Sequence, residues 1–220
     1  MMKVSKKIIA VLGAAFLLGA CSQPTTSTKP QKESKLNIMT TFFPMYDFTR
    51  NIVGEEGNVT LLISAGTEPH EYDPTAKDIA KISQSDALVY DNENMETWVP
   101  TVMKSLTDSK VKEIKATKDM ELLPIEDDDE HEGEEHHDEH EHEFDPHVWL
   151  SPKKAKLLVE KITAQLSEAF PEKASAFKTN AQAYLEKLTE LDNEYTSALK
   201  DAKQNTFDSS IIRCEAFVLN

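Results

Sequence analysis

Residues 36–63 read LNIMTTFFPMYDFTRNIVGEEGNVTLLI, and this stretch decides the fold class. Leu36 to Thr40 alternates well enough for a strand. Pro44 then stands where the first turn of a helix tolerates it, and Met45, Phe48 and Ile52 recur on one helical face. Gly54 and Gly57 stop that helix, and Val59 to Ile63 has the composition of a buried strand.

The same alternation continues downstream. A loop from Ser64 to Pro74 leads to Thr75, a helix cap, and to a helix whose apolar side is Ala76, Ile79, Ala80 and Ile82. Ala87 to Tyr90 reads as a third strand, Trp98 to Leu106 as a third helix, and Val111 to Ile114 as a fourth strand. Strands alternating with helices predict an α/β lobe over residues 36–150, with a parallel sheet covered by helices on both faces. Beyond residue 150 the pattern is helical alone. Ser151-Pro152 is an N-cap followed by a first-turn proline, and Ala155, Leu158, Val159, Ile162, Leu166 and Phe170 repeat at three- and four-residue steps. Pro171 breaks that helix, and a stripe from Ala174 to Leu199 follows, with neither Gly nor Pro between Glu172 and Phe207. A helix of about 30 residues spans ~45 Å, longer than one small lobe needs. The helical segment 151–207 is therefore expected to carry a long helix that leaves the lobe; a plain core hairpin is the simpler possibility.

The chain has 220 residues and a net charge of −15, but twelve of its 39 acidic residues lie between Glu126 and Glu143. The remainder carries only −3, so the acidity belongs to one segment. The acidic balance argues against nucleic acid as a partner, because phosphate binding needs clustered Lys and Arg. Two cysteines, Cys21 and Cys214, are too few for a disulfide framework or a thiolate zinc cluster. Metal chemistry in this chain must use imidazole and carboxylate.

Lys3, Lys6 and Lys7 precede an uncharged run from Ile8 to Ala20 that ends in Leu18-Gly19-Ala20-Cys21. A basic start, a short apolar run and small residues before a cut describe an export signal over residues 1–20. The run is shorter than the ~20 residues that span a bilayer. Leu-Gly-Ala-Cys resembles the bacterial lipobox, which makes Cys21 the expected lipidation site. Residues 21–35 then form a polar tether, and the mature chain is expected outside the cell membrane on a lipid anchor.

Six of the seven histidines fall between His131 and His147. The run 126–143 holds His131, His136, His137, His140 and His142 among its acids, with no apolar side chain. Such a run cannot pack and reads as a solvated loop. Solubility alone does not require histidine, and imidazoles among carboxylates suit Zn²⁺, Cu²⁺ or Ni²⁺; the loop is expected to capture metal at modest affinity. His147 and His70 stand apart from it. His147 lies in Phe144-Asp145-Pro146-His147-Val148-Trp149-Leu150-Ser151-Pro152, and His70 in Gly66-Thr67-Glu68-Pro69-His70-Glu71-Tyr72-Asp73-Pro74. Each follows a proline and has carboxylates nearby that can orient an imidazole. Loops after parallel strands are where α/β sheets bind ligands. A surface or capping role remains open for each on this ground alone.

The two motifs, in this order and with an acidic His-rich loop just before the second, resemble the metal-binding receptors of bacterial zinc ABC importers. The resemblance runs from the lipobox to about Phe207. It implies two α/β lobes joined by a long helix, zinc held between them, His70 and His147 as ligands from the first lobe, and delivery to an ABC permease by a monomer. The zinc and manganese branches share both motifs, and the His-rich loop favours zinc. The family's remaining ligands, a His and a carboxylate, come from a second lobe after the long helix. Residues 208–220 contain no His and do not read as the start of that lobe, so the expectation is a chain that stops early, with an atypical tail. A zinc hydrolase is disfavoured, since no His-Glu-x-x-His motif occurs, and no enzymatic activity is expected. A manganese-type receptor, surface adhesin or scavenger without transport is the alternative reading.

Overall fold

The structure, a computed structural model, describes residues 34–124 and 144–203. The signal 1–20, Cys21, the His-rich run 126–143 and the tail 208–220 lie outside the described residues. The fold belongs to the compact unit that begins at Lys35.

Four parallel strands, β1 (Leu36–Thr40), β2 (Gly57–Leu61), β3 (Ala87–Tyr90) and β4 (Lys112–Lys115), lie in the order β2-β1-β3-β4. Helices α1 (Phe43–Val53), α2 (Ala76–Ser83) and α3 (Val99–Ser105) connect them. The register pairs Ile38 with Val59 on one side of β1 and with Ala87 on the other. Side chains alternate between two cores, as a strand period of two requires. Ile38, Ala87 and Val89 face one layer with α1; Met39, Leu88 and Tyr90 face the other, with Ile82 of α2 and Val99 and Val102 of α3. Both faces of the central strands are buried, which is why Ala87 to Tyr90 shows no polar alternation.

Two sequence expectations change. The second strand begins at Gly57, not Val59, and alternates between half-buried and exposed residues because it lies at the sheet edge. Gly57 belongs there because a Cβ would sit 2.8 Å from the Leu36 carbonyl oxygen. On α2, Ala76 and Ala80 are exposed, and only Ile82 is fully buried, with Ile79 packed beside it. The Thr75 cap forms as expected and is completed by Asp78: Thr75 Oγ1 accepts from Asp78 N at 3.3 Å, and Asp78 Oδ2 accepts from Thr75 N at 3.3 Å.

Helix α4 (Pro152–Ala169) and helix α5 (Ala174–Leu199) cover the α1 face. Leu158, Val159, Ile162 and Leu166 of α4 join Phe177, Ala181 and Leu188 of α5 in the same core as Met45 and Ile52. Burial of each large side chain contributes about 1.5–3 kcal/mol. Asn180 Nδ2 donates to the Ile52 carbonyl at 3.0 Å, and the Tyr184 hydroxyl donates to Asp47 at 2.8 Å. The helix is docked as far as Asp192, which pairs with Lys156 at 3.0 Å. Its last residues, 193–199, are all exposed. With 26 residues α5 is ~39 Å long; its first two-thirds form a core hairpin with α4 and its last turns run past it.

Candidate metal centre

The strand order places the site. The chain passes from β1 outward to β2, then returns across β1 to β3 on its other side. Neighbouring connections therefore leave the carboxyl ends of β1 and β3 on opposite faces, which opens a crevice there. The loop after β2 carries His70. The segment after β4 returns through Phe144, bridged to Pro124, and carries His147.

These two histidines, 77 positions apart, meet. His70 Nε2 and His147 Nε2 are 3.2 Å apart, and their ring centroids 5.3 Å. His147 is firmly held. Asp145 Oδ1 accepts from the His147 backbone N–H at 2.9 Å and lies 2.7 Å from its Nδ1. A carboxylate can only accept, so it fixes the proton on Nδ1 and leaves the Nε2 lone pair facing His70. The Trp149 ring packs 5.3 Å from the imidazole and is itself braced edge-on by Phe42 at 4.8 Å. Asp145 is buried, and its backbone N–H donates to the Leu123 carbonyl at 2.8 Å. His70 is exposed, and Glu68 accepts from its backbone N–H at 3.3 Å rather than from its ring. The orienting carboxylate expected for each imidazole is thus present at His147 and absent from the His70 ring among the described residues.

Two nitrogen ligands of a tetrahedral zinc, each at ~2.0–2.1 Å, lie about 3.3 Å apart. The observed separation matches that distance. No third His, Cys, Asp or Glu completes a metal-sized group with them among the described residues. His131, His136, His137, His140 and His142, and Cys21, lie outside the described residues.

A second polar group was not anticipated. Asp91, Asn92 and Glu96, immediately after β3, are buried. Glu96 Oε1 accepts from Thr41 Oγ1 at 2.6 Å and from Asp91 N at 3.1 Å, and Oε2 accepts from Asn92 N at 3.2 Å. Burial pushes the Glu96 carboxyl up to about 7, although these donors favour its charged form. Asp91 is raised well above its ordinary value, first by burial and then by the charge of Glu96, with Lys115 opposing and Asp145 adding to the rise. Asp91 Oδ1 and Asp145 Oδ2 are buried with no hydrogen-bond partner among the described residues. The available signal was the polar run Asp91-Asn92-Glu93-Asn94 directly after an apolar strand, at the end of the sheet where ligands bind.

The ZnuA family model, zinc-uptake complex component A periplasmic, matches residues 38–210. The chain belongs to this family. Other ZnuA-family relatives agree with that assignment. The zinc-binding lipoprotein AdcA of Streptococcus pneumoniae is 52% identical over 209 residues, covering 94% of this chain and 40% of that protein. The high-affinity zinc uptake system protein ZnuA of Bacillus subtilis is 42% identical, covering 90% of this chain and 62% of that protein. The crystal structure of Zn(II)-bound AdcA from S. pneumoniae superposes with a TM-score of 0.70 at 53% identity, over 79% of this chain and 35% of that one. The chain thus spans about two-fifths of the length of the AdcA relative.

Proposed function

We propose that this chain is a metal-capturing receptor of an ABC importer, which binds Zn²⁺ outside the membrane and passes it to a permease. The observation that carries this reading is the 3.2 Å approach of His70 Nε2 to His147 Nε2, with Asp145 holding one of them in its metal-binding tautomer. The ZnuA family is one of metal-binding solute receptors, and the AdcA and ZnuA relatives are described as zinc-binding or zinc-uptake proteins. In this reading His70 and His147 supply two of the ligands, and the chemistry is reversible binding rather than catalysis. Cys21 carries the lipid that holds the protein on the extracytoplasmic face, and His131, His136, His137, His140 and His142 form an auxiliary capture loop. The loop's imidazoles and the zinc named in the relatives favour Zn²⁺ over manganese. The chain acts as a monomer.

The test is calorimetric titration of Zn²⁺ into the whole chain, beside His70→Ala, His147→Ala and a form lacking residues 126–143. Each His→Ala change should remove the binding that persists once the loop is deleted. Because the described residues offer two ligands, that remaining site should be weak, with water completing the shell. Zinc binding by the loop-deleted form that survives both substitutions would show that the pair is not the site.

A further inference from the structure

We propose that Glu96 is a positioning residue for the His70–His147 pair, a buried brace that sets the spacing of the loops from which both imidazoles hang. The proposal rests on the reading of that pair as the metal site.

A carboxyl with no exposed surface is costly unless its bonds are needed. Among the described residues, all three donors to Glu96 come from one place, the carboxyl ends of the two central strands. Thr41 directly follows β1, and Asp91 and Asn92 directly follow β3. The carboxylate therefore spans the crevice at its base and ties one strand end to the other.

From each tie a bonded path leads to one histidine. On the first side, the Thr41 carbonyl accepts from Ile63 N at 2.8 Å, and the Thr40 carbonyl accepts from Leu62 N at 2.8 Å. These bonds fix the stem of the loop 64–74 that bears His70. On the second side, Asn92 Oδ1 accepts from Asn94 N at 2.9 Å and from Met95 N at 3.2 Å, which locks the turn after β3. Asn94 Nδ2 then donates to the Phe144 carbonyl at 3.0 Å, one residue before the Asp145 that orients His147. Thr117 donates to the Asp91 carbonyl at 2.9 Å and holds the β4 side to the same turn. Glu96 touches neither imidazole. It acts through Thr41 on one loop and through Asn92 and Asn94 on the other.

The demand for such a brace comes from the geometry of metal binding. Bond lengths to zinc tolerate about 0.2 Å, and the two nitrogens come from loops far apart in sequence. A slack crevice would present one imidazole at a time.

Co²⁺, whose visible absorption reports ligand geometry, is titrated into the whole chain. The pair's signal is the part lost in His70→Ala. In parallel, long-range ¹H–¹⁵N spectra of the metal-free chain read the tautomers of His70 and His147. At pH 8, where the Glu96 carboxyl is ionised, Glu96→Gln keeps the side chain's size but points an amide N–H₂ at a backbone donor. Thr41→Val removes one donor at constant volume, and Thr41→Ser restores it. Loss of a group supporting a ligand typically weakens metal affinity 10–100-fold. The expected result is at least a tenfold loss of pair-specific Co²⁺ affinity in Glu96→Gln and Thr41→Val, with tautomer averaging at His147 in the former and recovery in Thr41→Ser. If Glu96→Gln does not fold, the two Thr41 variants decide. Affinity within twofold of the parent and unchanged imidazole spectra in the folded variants would overturn the brace. A Co²⁺ titration indifferent to His70→Ala would instead refute the metal-site reading, and the metal-free spectra would still decide whether Glu96 positions the pair.

Discussion

Raising the pH from 4.5 to 7 should destabilise this protein through Glu96, and the size of the effect follows from its burial. The carboxyl titrates at about 7 in the folded chain against an ordinary value of 4.5. Between those limits the folded state holds a proton that the unfolded state has released, so stability falls as pH rises. The contribution is fully present below pH 4.5 and lost as pH rises through 7. At 1.36 kcal/mol per pH unit, the gap corresponds to about 3 kcal/mol. That is a large share of a ~5–15 kcal/mol total. Asp91 shifts in the same direction, and part of its rise comes from the Glu96 charge, so removing that charge enlarges the difference rather than hiding it. The assay is urea unfolding of the metal-free chain and of Glu96→Gln at steps from pH 4.5 to 7.5, with the slope m checked for constancy. The parent should lose about 3 kcal/mol more than the variant across that range. Parallel pH profiles would refute the reasoning, because they would mean that Glu96 carries the same charge folded and unfolded.

Asp145→Ala removes the acceptor that fixes the His147 tautomer, and zinc affinity should fall 10–100-fold with the circular dichroism unchanged; equal affinity would remove Asp145 from the site. Phe177→Ala should cost about 3–5 kcal/mol because Phe177 is fully buried between α5 and the lobe. Leu199→Ala, at the exposed end of the same helix, should stay within about 0.5 kcal/mol in thermal or urea unfolding; a large loss there would mean that the last turns are packed. Cys21→Ser should release the protein from the membrane fraction or leave it unprocessed, and an unchanged mass and fractionation would count against the lipid anchor. Zinc capture by the run 126–143 should weaken as pH falls through ~6.5, since only neutral imidazole binds metal; a titration insensitive to pH there, or to deletion of the run, would argue against the capture loop.

Local patterns in the chain are enough to specify the α/β class. The period-two alternation of Leu36 to Thr40, the helical spacing of Met45, Phe48 and Ile52, and the caps at Thr75 and Ser151 are written in residues close together, and they formed where expected. His70 and His147 could be singled out because each stands in a proline-bounded loop, but that pattern alone left a surface or capping role open, and their expected role as ligands came from the resemblance of the two motifs to a metal-receptor family. Three things were decided only in three dimensions. The edge position of β2 depends on which strands flank it, and a strand's own residues do not state that; hence the misplaced start at Val59 and the unexpected exposure of its alternate residues. The docking of α5 as far as Asp192 depends on partners in α1 and α4, such as Asp47 for Tyr184 and Lys156 for Asp192. The Glu96 cluster joins residues 55 positions apart; in the sequence Glu96 is one acid among 39. Its burial, its proton and its grip on two strand ends arise because the sheet's reversal at β1 and β3 brings their carboxyl ends together around it.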